Sequence, residues 1–231
     1  MLIQHQGSLV KMIDKIKAAL WKNGSFVSKL IMYMIDSKTR ETINVAKFLK
    51  RQIEDNKTLL EGIRDEQNWM RFSKDIRAIK ILEYVKNRLT YKSDISKYNK
   101  FEYWANINEV IKSVDKNTDS KEEDDCEFGG YFIFALMRVS GFNENEVQLI
   151  TGSVKNPYTN KIVGHCWVNY ISDDYPYVNY FLDWCYYPDK TRIHKDRKPY
   201  TLKDGLILSG TKQDSKYKEY WFLITDKQGW R

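Results

Sequence analysis

The chain has 231 residues, 42% hydrophobic and 30% charged, long enough to bury one substantial core with a smaller satellite of helices. Aromatic residues make up 14%, including 16 Tyr and 7 Trp, which excludes a disordered chain. The 38 basic and 31 acidic residues leave a net +7, but the basic side chains run through every segment and form no stripe. That distribution argues against nucleic-acid binding, despite pairs such as Lys50-Arg51.

The first residues are polar, and no apolar run approaches the ~20 residues a membrane span needs. The expectation is a soluble protein without a standard signal, cytoplasmic or virion-associated, with no membrane partner. Three cysteines without a C-x-x-C pair do not make a disulfide framework. A reducing compartment or a reactive thiol accounts for them better.

All four prolines (Pro157, Pro176, Pro188, Pro199) lie in the last third, and the chain reads as helices first and strands later. Leu9, Ile13, Ile16 and Leu20 have amphipathic helical spacing, and Val27, Leu30, Ile31 and Met34 repeat it after Gly24-Ser25. A third periodic stretch covers residues 39–63. A fourth, residues 74–89, sets Ile76, Ile79, Leu82 and Val85 on one face. These helices form either a separate bundle or a cap on the rest, and they are the surface expected to serve self-association or a partner. Periodicity fades between residues 90 and 125, ending in an acidic tract (Asp119, Glu122, Glu123, Asp124, Asp125) that reads as a solvated linker.

Residues 126–140 then form a helix apolar nearly all round, through Phe128, Tyr131, Phe132, Phe134, Ala135, Leu136 and Val139. Such a helix belongs in the middle of a domain, with Gly141 placed to end it. Strand-like runs follow at about 146–152, 165–171, 178–184, 205–209 and 219–225. The expected fold class is α+β, one buried helix packed on an antiparallel sheet.

Cys126 stands at the start of the buried helix with Asp124 or Asp125 as N-cap, where unsatisfied amides and the helix dipole favour a thiolate. A cysteine is also simply a small core residue, and that alternative stays open. Asp125 and Glu127 beside the sulfur oppose ionisation, so a cationic partner is needed. Of His5, His165 and His194, His165 suits best: it opens an alternating run in which His165, Trp167, Asn169 and Ile171 share a face. Asp183 sits where a buried strand would ordinarily place an apolar group, a costly position unless paired, and orienting a histidine is one such pairing. Thiol, imidazole and carboxylate in this order suit acyl transfer through a thioester. A zinc set of Cys126, Cys166, Cys185 and His165 is the competing use, opposed by the opposite directions of adjacent His165 and Cys166 on a strand. Cys185, two residues from Asp183, could share its face; a packing role is expected.

The segments Tyr91-Lys92-Ser93-Asp94, Phe101-Glu102-Tyr103-Trp104 with Glu109, and Asp125-Cys126-Glu127 resemble the Y-x-S-D, D-Y-W-x-x-x-x-E and G-D-C-E-D pattern of bacterial transglutaminase-like cysteine proteinases. Gly164-His165-Cys166-Trp167 and Leu182-Asp183 resemble the H-x-W and L-D strands of the wider transglutaminase-like superfamily. The resemblance covers residues 75–226. It implies a papain/transglutaminase-like core over residues 71–231, a cysteine-peptidase domain, preceded by a helical extension over 1–70. It further implies a peptidase or amidase acting on a protein or peptide, with Cys126 as nucleophile, His165 as general base then acid, and Asp183 as orienting acid. The Cys126 amide and a group from the upstream loop would hold the oxyanion. No cofactor is required for catalysis. Calcium is implied at Asp125 and Glu127, although Phe128 replaces the last acid of the motif. Gly129 and Gly130 replace larger helix residues, each costing about 1 kcal/mol relative to Ala, and allow a strand or substrate to come close. Two other functions fit the same fold: a protein-crosslinking acyltransferase, if an amine takes the place of water, and a structural or assembly protein such as a phage virion component.

Overall fold

A computed structural model describes residues 37–111, 121–172, 179–186, 202–203, 206–207, 217–227 and 229–230. The helices expected over residues 9–20 and 27–34 lie outside the described residues, as do His5 and His194. Among the described residues, no helix is long and apolar enough to cross a membrane.

The stretch expected as one helix over 39–63 is two, α1 (Ser37–Asp55) and α2 (Lys57–Glu66). The break falls at Asn56, whose side-chain amide donates to the Gln52 carbonyl at 2.9 Å, competing for a backbone acceptor as Asn does in turns. A 3-10 turn (Trp69–Arg71) leads into α3 (Lys74–Arg88). The expected inner face of α3 is corrected: Ile76 is 48% exposed, and Arg77, Ala78, Ile81, Leu82 and Val85 are buried. The stripe turns because Arg77 is drawn inward, donating to the carbonyls of Trp69 (3.2 Å), Phe72 (2.8 Å) and Ser140. These include a carbonyl at the C-terminal end of the central helix, a partner that periodicity cannot register.

Short β1 (Leu89–Tyr91) pairs in parallel with β2 (Glu122–Asp124). The acidic tract is therefore not simply a linker: part of it is a strand, and Asp124 is fully buried. Between the two strands lie α4 (Asp94–Tyr98) and α5 (Ile107–Val110). The central helix α6 (Cys126–Val139) follows, capped by the Asp125 side chain, which accepts from the amides of Glu127 (3.2 Å) and Phe128 (3.3 Å). Gly141 ends it with φ of +87°, a conformation open to glycine.

Strands β3 (Val147–Lys155), β4 (Ile162–Ile171), β5 (Asn179–Leu182), β8 (Tyr217–Ile224) and β9 (Gly229–Trp230) form a sheet in the order β5-β4-β3-β8-β9, antiparallel throughout. A separate ladder joins β6 (Leu202–Lys203) to β7 (Leu206–Ile207). The architecture is mixed α+β. Helix α6 lies between the sheet and helices α1, α2 and α3, with packing on both sides, which is why it is apolar all round. Ala46, Leu49, Leu60 and Ile63 belong to the same core cluster as the α6 side chains.

Two glycines set the closeness of this packing. A Cβ on Gly130 would stand 3.0 Å from Cys166 Sγ and 3.2 Å from Leu149 Cδ1, so α6 rides directly on β4 and β3. A Cβ on Gly129 would fall on the Trp184 indole nitrogen, well inside van der Waals contact.

Candidate functional site

The alternation of β4 sorts its residues between two faces. Cys166, Val168 and Tyr170 join the core cluster that contains α6. Trp167 joins a smaller cluster with Ile150, Val154, Tyr217 and Leu223 on the far side. His165 keeps the company of Trp167: their rings lie nearly parallel at 5.8 Å, and Tyr186 stacks on the imidazole at 4.4 Å.

Asp183, just past β5, meets His165 there. Its Oδ2 lies 2.9 Å from His165 Nε2, and both side chains are wholly buried. Asp183 also accepts from Tyr217 Oη (2.9 Å), the Tyr186 amide (3.1 Å) and the Cys185 amide (3.2 Å). Burial is the largest influence and pushes this carboxyl upward, but His165, the amides and Tyr217 together hold it below its usual range. Asp183 is therefore a carboxylate at neutral pH. The other imidazole nitrogen, His165 Nδ1, is buried and has no hydrogen-bond partner among the described residues.

Cys126, 6% exposed, lies in the α6 cluster, and its Sγ donates to Glu127 Oε2 at 3.0 Å. Burial first, then Glu127, Cys185, Cys166 and Asp125, hold the thiol well above its ordinary range. The structure thus joins His165 to Asp183 but does not join Cys126 to His165 by a hydrogen bond. Cys185 is the most accessible of the three cysteines and stands beside the His165–Asp183 pair. Its Sγ is 3.8 Å from Asp183 Oδ1, and ligand atoms of His165, Asp183 and Cys185 lie within 4.8 Å of one another. Cys126 and Cys166 stand outside that group, so the four-ligand zinc set is not assembled.

Three residues had little or no sequence signal. Tyr217 is one tyrosine among 16 until β8 brings it to Asp183. Asp94, visible only within its motif, and Asp124 gather with Asp125 into a buried trio with carboxylate oxygens within 4.8 Å of one another. Lys97 (2.8 Å), Tyr98 (2.8 Å) and the Asp125 amide (2.9 Å) occupy Asp124. Asp94 accepts the Tyr103 amide on one oxygen, and its other oxygen is buried without a partner among the described residues. Asp125 is pushed up to about 9 by burial first, then by Glu127. Crowded carboxyls with an orphaned oxygen need a proton or a cation between them, and an all-oxygen donor set fits calcium. The expected pair, Asp125 and Glu127, thus stands beside further carboxylates from α4 and β2.

No protein-family model and no curated protein matches the chain. Among solved structures, calcium-bound Legionella pneumophila LapG is similar over 77% of this chain and 86% of that one, at 14% identity and a TM-score of 0.41.

Proposed function

We propose that this protein is a cysteine hydrolase of peptide or amide bonds in which Cys126 is the nucleophile and His165 and Asp183 manage the proton. The observation that carries this reading is the buried His165–Asp183 pair, with Nδ1 unpartnered among the described residues. Asp183 holds the tautomer by accepting at Nε2, which leaves Nδ1 to accept the thiol proton. The reaction requires the Cys126 thiol to leave Glu127 and approach Nδ1. The thiolate then adds to the substrate carbonyl, a C–S bond forms, the imidazolium protonates the leaving amine, and water later cleaves the thioester. With an amine in place of water the same chemistry transfers the acyl group. Calcium would be held by Asp94, Asp125 and Glu127 and would supply positive charge against the acids that oppose the thiolate.

Iodoacetamide labelling with peptide mapping tests the reading. Cys126 is expected to label faster than Cys166, and Cys126→Ala to abolish hydrolysis of casein. Labelling of the parent chain no greater than that of Cys126→Ala would sink it. A second reading has its own observation, the closeness of Cys185 Sγ to the His165–Asp183 pair: if label and activity both follow Cys185, that thiol is the nucleophile.

A further inference from the structure

The hydrolytic chemistry leaves the thiol beside the His165–Asp183 pair unused. Ligand atoms of His165, Asp183 and Cys185 lie within 4.8 Å of one another, one nitrogen, one oxygen and one sulfur. Three protein ligands of mixed nitrogen, oxygen and sulfur type, with a fourth position open, suit zinc, whereas calcium takes oxygen alone. The group therefore differs in kind from the carboxylate trio of Asp94, Asp124 and Asp125. It keeps His165 and Cys185 from the four residues that the sequence offers as a zinc set, and Asp183 takes the place of the other two cysteines.

The spacing is close to what the metal needs. His165 Nε2 stands 2.9 Å from Asp183 Oδ2, and Cys185 Sγ stands 3.8 Å from Asp183 Oδ1. Bonds of about 2.0–2.3 Å at tetrahedral angles set ligand atoms about 3.3–3.6 Å apart, so side-chain movements of about an ångström complete the site. Both contacts are hydrogen bonds to one carboxylate, and a zinc ion would replace their two protons. Tyr217 Oη (2.9 Å) and the amides of Tyr186 (3.1 Å) and Cys185 (3.2 Å) go on donating to Asp183 and hold it in place, as the outer partners of metal ligands do. His165 Nδ1, buried without a partner among the described residues, can carry a proton once Nε2 has given up its own. The His165 and Asp183 side chains are wholly buried, so the half-buried Cys185 marks the side from which an ion enters.

We propose that His165 Nε2, the Asp183 carboxylate and Cys185 Sγ bind one zinc ion, with water as the fourth ligand. On binding, the Cys185 proton passes to solvent, Nε2 loses its proton and Nδ1 gains one, and lone pairs of sulfur, nitrogen and oxygen form the bonds to the metal. The net release is one proton. Burial first, then Asp183, raise the Cys185 thiol well above its ordinary range, but the charge of the ion deprotonates a coordinating thiol outright. The site stands whichever group is the nucleophile, while its consequence rests on the reading of His165 as proton carrier. With Nε2 on the metal and a proton on Nδ1, the imidazole has no lone pair left for the Cys126 proton, and zinc holds the hydrolase off.

The metal-stripped full chain, in excess calcium to occupy the carboxylate trio, is titrated with zinc against a chromophoric chelator. A parallel titration uses cobalt(II), whose near-ultraviolet thiolate charge-transfer band requires a cysteine ligand. The expected result is one ion per chain and a cobalt band that Cys185→Ala abolishes and Cys126→Ala leaves intact. Zinc affinity should fall in Cys185→Ala and His165→Ala by more than the roughly 10–100-fold that follows loss of an outer partner. Where His165→Ala does not fold, Cys185→Ala and the cobalt band decide. A parent that takes up no zinc, uptake that Cys185→Ala leaves intact, or a band lost in Cys126→Ala overturns the site. A zinc-loaded parent that hydrolyses casein as fast as the stripped chain overturns the consequence. A stripped parent that hydrolyses no casein counts against the hydrolase reading alone, and the cobalt band still decides the site.

Discussion

Tyr217→Phe and Asp183→Ala, singly and together, probe whether the buried carboxylate is a shared acceptor. Asp183 takes five donors, from His165, Tyr217, the amides of Tyr186 and Cys185, and the Cys185 thiol. Tyr217→Phe deletes one hydrogen bond to a charged group and leaves no orphaned donor, so the expected loss is about 1.5–3 kcal/mol. Asp183→Ala strands every donor in a site without solvent, and removing one member of a buried pair costs about 3–5 kcal/mol. Once the carboxylate is gone, Tyr217→Phe no longer removes that hydrogen bond, so adding it should cost less than it does in the parent. Urea unfolding of all four chains at neutral pH measures this, with unchanged slopes required. Additive losses would refute the shared-acceptor account. The pH dependence supplies the sign: Asp183 is depressed in the fold, so its stabilisation is complete above the unfolded-state carboxyl pKa, about 3.9, and is lost as pH falls through the folded value. The gap between parent and Asp183→Ala should close toward acid, and a gap that widened would contradict the assignment.

Asp125 behaves in the opposite sense. Its folded value of about 9 lies above the unfolded one, so it draws stability down as pH rises between the two, and Asp125→Asn should flatten that limb of the stability profile. Calcium should raise the thermal midpoint of the parent, more so toward alkaline pH, and should do less for Asp125→Asn with Glu127→Gln; equal shifts in both chains would exclude these acids as ligands. Arg77→Met should lose at least about 2 kcal/mol, since the carbonyls of Trp69, Phe72 and Ser140 lose their shared donor. A loss within about 0.5 kcal/mol by chemical denaturation would mean that water replaces it.

Much of the frame is local and could be read from the chain. The helix beginning at Cys126, its Asp125 cap, its end at Gly141 and the strands around His165 follow from side-chain periods, a capping acceptor and a positive φ, each set within a few residues. The face of β4 that carries His165 and Trp167 followed from the strand period alone.

The rest depended on partners distant in sequence. Arg77 turned α3 because carbonyls outside that helix accept it, including one 63 residues away. Tyr217 reached Asp183 across 34 residues, and Asp94 met Asp124 and Asp125 only because β1 and β2 pair. A capped thiol, a strand histidine and a buried acid are legible in that order because each is marked by its own local environment. Their meeting depended on the tertiary structure: the turn after β5 carries Asp183 to His165, while the Cys126 thiol rests on Glu127. The face a strand residue occupies is fixed by its own alternation, whereas the face a helix covers is fixed by how the whole sheet and its glycines admit it.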